Sequence, residues 1–109
     1  MVDCIFCKIA KHEIPKEFFY EDKFVMAFPD INPIAKVHIL VMPKKHTKDF
    51  VDFKDSSALE KVKDVIQKMV KDQKLEDKGY RIVVNGGGAQ IIDHLHFHLI
   101  GPLGKKVEM

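Results

Sequence analysis

The stretch His94-Leu95-His96-Phe97-His98-Leu99-Ile100 concentrates more chemistry than any other part of this sequence. Imidazole titrates near neutral pH and serves as nucleophile, proton donor or metal ligand. On a strand, alternate side chains point to one face. His94, His96 and His98 are therefore predicted to project together, with Leu95, Phe97 and Leu99 projecting the other way into a core. Helical periodicity does not produce that pattern. Three readings follow: a half-buried strand whose outer face carries histidines, a metal site shared among imidazoles, and a catalytic array. The loop just upstream, Asn85-Gly86-Gly87-Gly88-Ala89-Gln90, favours the catalytic array. Glycine lets backbone approach an anion and turn N–H groups toward it, and Asn85 and Gln90 add amide donors. Alone the loop is equally a flexible hairpin; ahead of three aligned imidazoles it suggests a phosphate pocket.

Cys4 and Cys7 have the spacing of a zinc half-site. Two thiolates do not complete a structural zinc site. A redox dithiol and two unligated core cysteines are the competing readings. The redox motif normally follows a strand, and Cys4 stands too near the chain start for one.

A small set of elements must position these groups. Cys4 to Ala10 forms a short helical turn with Ile5 and Ile9 on one face, limited by Pro15. Phe18 to Tyr20 and Phe24 to Phe28 read as strands joined through a Glu21-Asp22 turn. Pro29-Asp30-Ile31-Asn32-Pro33 is a loop, and the apolar run Val37 to Met42 is a central strand. Ser57 and Glu60 fit a capping box opening one long helix, in which Leu59, Val62, Ile66, Met69 and Val70 recur at helical spacing. Gly79 is placed to end a turn at positive φ. Tyr80 to Val84 and Leu95 to Ile100 complete the strands. The order predicts an α+β fold: an antiparallel sheet of about five strands with one long helix and a short N-terminal helix, both packed on one face.

The whole chain, 109 residues and 12.6 kDa, is expected to form a single domain over residues 1–109. A hydrophobic content of 46% and a charged content of 31% argue against disorder. Eighteen basic and sixteen acidic side chains leave a formal charge of +2, so neither nucleic acid nor a membrane surface is an expected partner. Lys44-Lys45 and Lys105-Lys106 read as solvated loops. No apolar run approaches the roughly 20 residues that span a bilayer. The opening MVDCIFCKIAKHE lacks the features of a secretory signal, so the cytoplasm is expected. There two cysteines are free, metal-bound or redox-active rather than a structural disulfide.

His-Leu-His-Phe-His-Leu-Ile closely resembles the histidine triad signature. Cys4-Ile5-Phe6-Cys7-Lys8-Ile9, Ile14-Pro15, Phe28-Pro29-Asp30-Ile31-Asn32-Pro33, Pro43-Lys44-Lys45-His46 and Val83-Val84-Asn85 resemble, in the same order, the nucleotide-binding, purine nucleoside phosphoramidase branch of that family. The resemblance covers nearly the whole chain, the long helix being its weakest part.

The resemblance implies a histidine-triad-like fold. It also implies a hydrolase of purine nucleoside phosphoramidates or related nucleotidyl substrates, acting at the α-phosphate. His96 would be the nucleophile, forming a covalent nucleotidyl-histidine that water cleaves to a nucleoside monophosphate. His98 would donate to a phosphoryl oxygen, and His94 would hold His96 in register or relay a proton. Asn85 and the backbone near Ala89 and Gln90 would cradle the phosphate. Asp30, otherwise a turn cap, would hold the ribose hydroxyls. Ile5, Phe6, Ile9, Phe28 and Ile31, otherwise core, would wall the base.

It further implies a structural zinc held by Cys4, Cys7, His46 and His94, no cofactor for the chemical step, and a homodimer joining two sheets. His12 and His38 remain without a role, one at the surface and one on a sheet face. The sequence departs from the pattern at Ile91, where relatives often carry Ser or Thr near the leaving group, and in a shorter glycine loop. Two alternatives stand beside this function. One is a nucleotide-binding regulatory module with incidental hydrolysis. The other is a dinucleoside polyphosphate hydrolase, against which the Cys-x-x-Cys start and short chain argue.

Overall fold

A computed structural model describes residues 4–105 and 107–108. Most of the opening segment is covered by it; residues 1–3 and Lys106 of the second lysine pair lie outside the described residues. Helix α1 (Ile5–Ala10) is followed by β1 (Tyr20–Glu21), β2 (Val25–Pro29) and β3 (Val37–Pro43). A short 3-10 turn (Phe50–Asp52) leads into helix α2 (Ser56–Asp72), then β4 (Arg81–Val84) and β5 (Phe97–Gly101). The strands form one five-stranded sheet in the order β1-β2-β3-β5-β4, and every neighbouring pair is antiparallel. The α+β expectation holds.

The two helices lie on opposite faces of the sheet, not on one. Val25, Ala27, Ile39 and Val41 pack with Val62, Ile66 and Met69 of α2. Met26, Phe28, Leu40 and Met42, of the other parity, pack with Phe6 and Ile9 of α1. The reason is in the strands. β2 and β3 are apolar at both parities, so each face must be covered to keep its side chains from water. Leu95, Phe97 and Leu99 join the α2-side core as their alternation predicts.

Several boundaries differ for local reasons. Asp55, not Ser57, caps α2. Its carboxylate accepts from the Ala58 N–H at 3.0 Å and from the Ser57 hydroxyl at 2.9 Å, so the Ser57–Glu60 capping box does not form. A carboxylate is favoured there by the partial positive charge of the helix N-terminus. Asp22 alone makes the β1–β2 turn, accepting from the N–H groups of Phe24 and Val25 at 2.7 and 2.8 Å, while Glu21 stays in the ladder. Lys44 is not a solvated loop residue: its ammonium lies 2.6 Å from the Glu21 carboxylate. Gly79 has φ +79°, and a Cβ there would meet the Gly104 carbonyl oxygen at 1.6 Å, so the crossing requires glycine. The last ladder begins only at Phe97, leaving His94 and His96 on its approach.

Candidate active site

α1 packs over Met26, Phe28, Leu40 and Met42, and residues of β4 and β5 border open space beside it. A cleft of about 530 Å³ results, within the usual range for small-molecule sites. Its walls hold most of the residues singled out from the sequence. Ile5, Phe6 and Ile9 come from α1, and Phe28 from β2. Asp30 and Ile31 come from the following loop; Asn85, His96 and His98 stand opposite. The register places Leu40 and Val83 on either side of His98, so His98 emerges from the middle of the sheet.

Hydrogen bonds to the backbone decide which nitrogen of each ring carries the proton. A carbonyl oxygen only accepts and an amide N–H only donates. His96 Nδ1 lies 2.7 Å from the carbonyl oxygen of His94 and so donates to it. The lone pair of His96 is then on Nε2. His96 is buried against the edge of Phe6, ring centroids 5.2 Å apart, and lines the cleft.

His98 is set the other way round through a second histidine. The Ile34 N–H donates to His38 Nδ1 at 3.2 Å, so His38 keeps its proton on Nε2. That proton is donated to His98 Nδ1 at 2.9 Å. His98 therefore carries its own hydrogen on Nε2. Burial, then the neighbouring His96 and His38, push the His98 pKa down to about 4, so the ring is neutral near pH 7. Asp30 Oδ2 lies 3.3 Å from His38 Nε2. The donor atoms of Asp30, His38 and His98 are close enough to surround an ion. The Nε2–H of His38 occupies that space, and moving it to Nδ1 would set two donors against each other at Ile34. The trio is a hydrogen-bond chain.

The cysteines form a different cluster with His46 and His94. Cys4 Sγ and Cys7 Sγ lie 3.4 and 3.5 Å from His94 Nδ1, and Cys7 Sγ lies 3.4 Å from His46 Nδ1. The four donor atoms all lie within 4.8 Å of one another. Zinc bonds of about 2.3 Å to sulfur and about 2.0–2.1 Å to nitrogen give a tetrahedral S···N edge of about 3.5 Å. The observed spacings fit such a site. His94 Nε2 donates to the Pro43 carbonyl at 2.8 Å, which leaves the Nδ1 lone pair facing the thiols. Burial also lowers the His94 pKa, holding the ring in the neutral form a ligand needs. Burial, and then the neighbouring Cys4, push the Cys7 thiol up to about 11, so thiolates at this site call for a cation.

The Ala89 N–H and the Gln90 side chain, both expected near the phosphate, make hydrogen bonds in and behind their loop. The Ala89 N–H bonds to the Gly86 carbonyl at 3.2 Å. The buried Gln90 amide accepts from the Gly88 N–H at 3.0 Å and donates to the Lys48 carbonyl at 3.1 Å, bracing the loop from within. Gln90 thus satisfies the Gly88 N–H, and Asp49 accepts from the Gly87 N–H at 2.8 Å. The imidazole of His94 faces the thiols, and it is its backbone carbonyl that meets His96.

His38 had no role in the reading of the sequence beyond a place on a sheet face. A polar residue inside the apolar run Val37 to Met42, sharing the parity of Leu40, was the available signal. Lys16, over the Phe28 ring at 5.0 Å, and Arg81 also line the cleft without a sequence signal. His12 is exposed, as expected, and lies 2.6 Å from Glu21.

Comparison with known proteins places this geometry. The family model described as the HIT domain matches residues 11–104. An uncharacterised HIT-like protein of Methanocaldococcus jannaschii is 46% identical over 99 residues, covering 89% of this chain and 77% of that protein. The adenosine 5′-monophosphoramidase HNT1 of Candida albicans is 39% identical over 105 residues, covering 89% of this chain and 68% of that protein. Among solved structures, a histidine triad protein from Clostridium difficile superposes with a TM-score of 0.86 at 42% identity, covering 100% of this chain and 96% of that one. A HIT family hydrolase from Clostridium thermocellum gives 0.90 at 36% identity, covering 100% and 98%.

Proposed function

The chain belongs to the HIT domain family, and from that premise we propose that it hydrolyses purine nucleoside phosphoramidates or related nucleotidyl substrates at the α-phosphate. The observation that carries this reading is the ring setting of His96: Nδ1–H held by a backbone carbonyl and a free Nε2 lone pair at the cleft. Nε2 attacks phosphorus, the N–P bond to histidine forms, and the bond to the leaving amine breaks as that amine takes up a proton from solvent. Water then attacks the same phosphorus, returning His96 and releasing the nucleoside monophosphate.

His98 donates its Nε2–H to a phosphoryl oxygen as negative charge builds there. Being neutral, it gives that hydrogen bond without adding a full charge to the resting site. His94 contributes placement, through its carbonyl. Asn85 supplies an amide to the phosphate, Asp30 accepts from the ribose hydroxyls, and the base lies between α1, Phe28 and Ile31.

Zinc held by Cys4, Cys7, His46 and His94 supplies structural cross-linking when bound; the chemical step uses only the chain's own side chains. The protein acts as a homodimer in the cytoplasm. Strand β4 is at the sheet edge, and Tyr80 and Ile82 are half exposed beside Leu59 of α2, which supports pairing there. Among the described residues, no helix is long and apolar enough to cross a membrane.

The test is release of AMP from adenosine 5′-phosphoramidate by the wild type and by His96→Ala. Turnover that disappears in the variant is expected. Wild-type binding of AMP without turnover would make the protein a regulatory nucleotide-binding module. Full activity in the variant would overturn the assignment of the nucleophile.

A further inference from the structure

Three consecutive residues after His46 hold the segment that joins β4 to β5. The Leu95 N–H donates to the Thr47 carbonyl at 2.6 Å, the Gln90 amide to the Lys48 carbonyl at 3.1 Å, and the Gly87 N–H to the Asp49 carboxylate at 2.8 Å. The first two acceptors are backbone carbonyls, which any sequence supplies. The third is a side chain. Gly87 and Gly88 have φ of +67° and +95°, and a Cβ on either would meet nothing within 4 Å. Hydrogen bonds therefore set the conformation of the loop tip against the freedom of three consecutive glycines. Gly86 shows how closely the carboxylate is seated. A Cβ there would come within 2.7 Å of Asp49 Oδ1. Gly86 is not among the glycines at positive φ, so close approach, not backbone conformation, calls for glycine at this position. Asn85, directly before it, lines the cleft, and Asp49 does not.

We propose that Asp49 is a positioning residue for the phosphate side of the cleft: its carboxylate fixes the glycine loop and, through Gly86, the amide of Asn85. The inference rests on the hydrolase reading above and adds to it a residue outside the cleft. A loop of three glycines samples many conformations, and an amide that must meet a phosphoryl oxygen serves in only a few of them. Asp49 meets that ordering cost before substrate arrives. The working part of Asp49 is an acceptor oxygen, which asparagine also has and alanine lacks. The consequence is selective: a ligand that carries a phosphate depends on the loop, and a nucleoside without one does not.

The test measures binding of AMP and of adenosine by calorimetry, and turnover of adenosine 5′-phosphoramidate, in the wild type and in variants at Asp49 and Gly86. Asp49→Ala is expected to weaken AMP binding and to lower kcat/KM, each about tenfold, with adenosine affinity unchanged. Asp49→Asn keeps an oxygen for the Gly87 N–H and is expected to retain wild-type values. Gly86→Ala pushes aside the end of the Asp49 side chain and is expected to reproduce Asp49→Ala. The double variant is expected to bind AMP no worse than either single one, because both changes break one contact. Wild-type AMP affinity in Asp49→Ala, equal losses for AMP and adenosine, an Asp49→Asn variant as weak as Asp49→Ala, or additive losses in the double variant each overturn the role of Asp49. A wild type that binds AMP without turnover overturns the hydrolase reading alone, and the AMP and adenosine affinities still decide the role of Asp49.

Discussion

Two histidine clusters sit on either side of His96, and they are built from similar donors to different ends. Cys4, Cys7, His46 and His94 form one; Asp30, His38 and His98 form the other. In both, the donor atoms crowd within a few ångströms. The difference is made by backbone groups. The Pro43 carbonyl takes the ring hydrogen of His94 and so turns a lone pair toward the thiols. The Ile34 N–H fills the lone pair of His38 and so turns a hydrogen toward His98. One cluster is thereby suited to a cation and the other to passing a hydrogen bond into the cleft. Side-chain type alone does not separate a metal site from a proton-ordering chain; the accessory backbone partner does.

The strongest challenge to this division is His96→Ala, which takes away the group between the two clusters. Activity is expected to fall about a thousandfold or more, with zinc content by atomic absorption and AMP binding by calorimetry both retained. A variant that lost its zinc as well would join the two regions into one.

Next in size is Cys7→Ser. The wild type is expected to carry one zinc per chain and the variant less, and unfolding free energy by urea titration should fall by about 3 kcal/mol. AMP affinity should weaken too, because Phe6 of the same short helix packs edge-on against both His94 and His96, with centroids 5.8 and 5.2 Å apart. A chelator should reproduce both effects in the wild type. Unchanged stability in either experiment would argue for core cysteines without a metal.

Smaller again is His38→Phe, which frees His98 to carry its hydrogen on either nitrogen. kcat is expected to fall about ten- to a hundredfold with zinc content unchanged. Wild-type kcat in this variant would remove His38 from the chain of hydrogen bonds.

The smallest effect is on pH dependence. Burial pushes the His98 pKa down to about 4 from the ordinary histidine value of about 6.5, so the unfolded chain binds more protons between those values. The stability contributed by the neutral ring is fully present above about pH 6.5 and is lost as pH falls through about 4. The His98 ring signals in NMR should stay flat from pH 8 to 5 and move only below. A midpoint near 6.5 would mean that the ring is solvated and the cleft more open than described.

Much of this molecule was legible along the chain because it depends on local parity or spacing. The alternation of Leu95, Phe97 and Leu99 against the histidines holds even before the ladder starts at Phe97. Cys4 and Cys7 are three residues apart, the one acting as N-cap and the other in the first turn of α1. The resemblance brought in His46 and Asp30 as well. What escaped was decided by competition among nearby groups. Asp55 takes the cap position in place of Ser57, its negative charge meeting the partial positive charge of the helix N-terminus. Gln90 was drawn into its own loop by Lys48 and Gly88.

The sequence by itself determined the element types, the apolar faces and the residues able to do chemistry, since these follow from side-chain period and composition. Only the tertiary structure decided that His38 stands beside His98 across 60 residues of chain, and which nitrogen of each ring keeps its proton. Those outcomes depend on backbone groups far away in sequence. A carbonyl or an N–H is present at nearly every residue and carries no mark in the sequence of the partner it will meet.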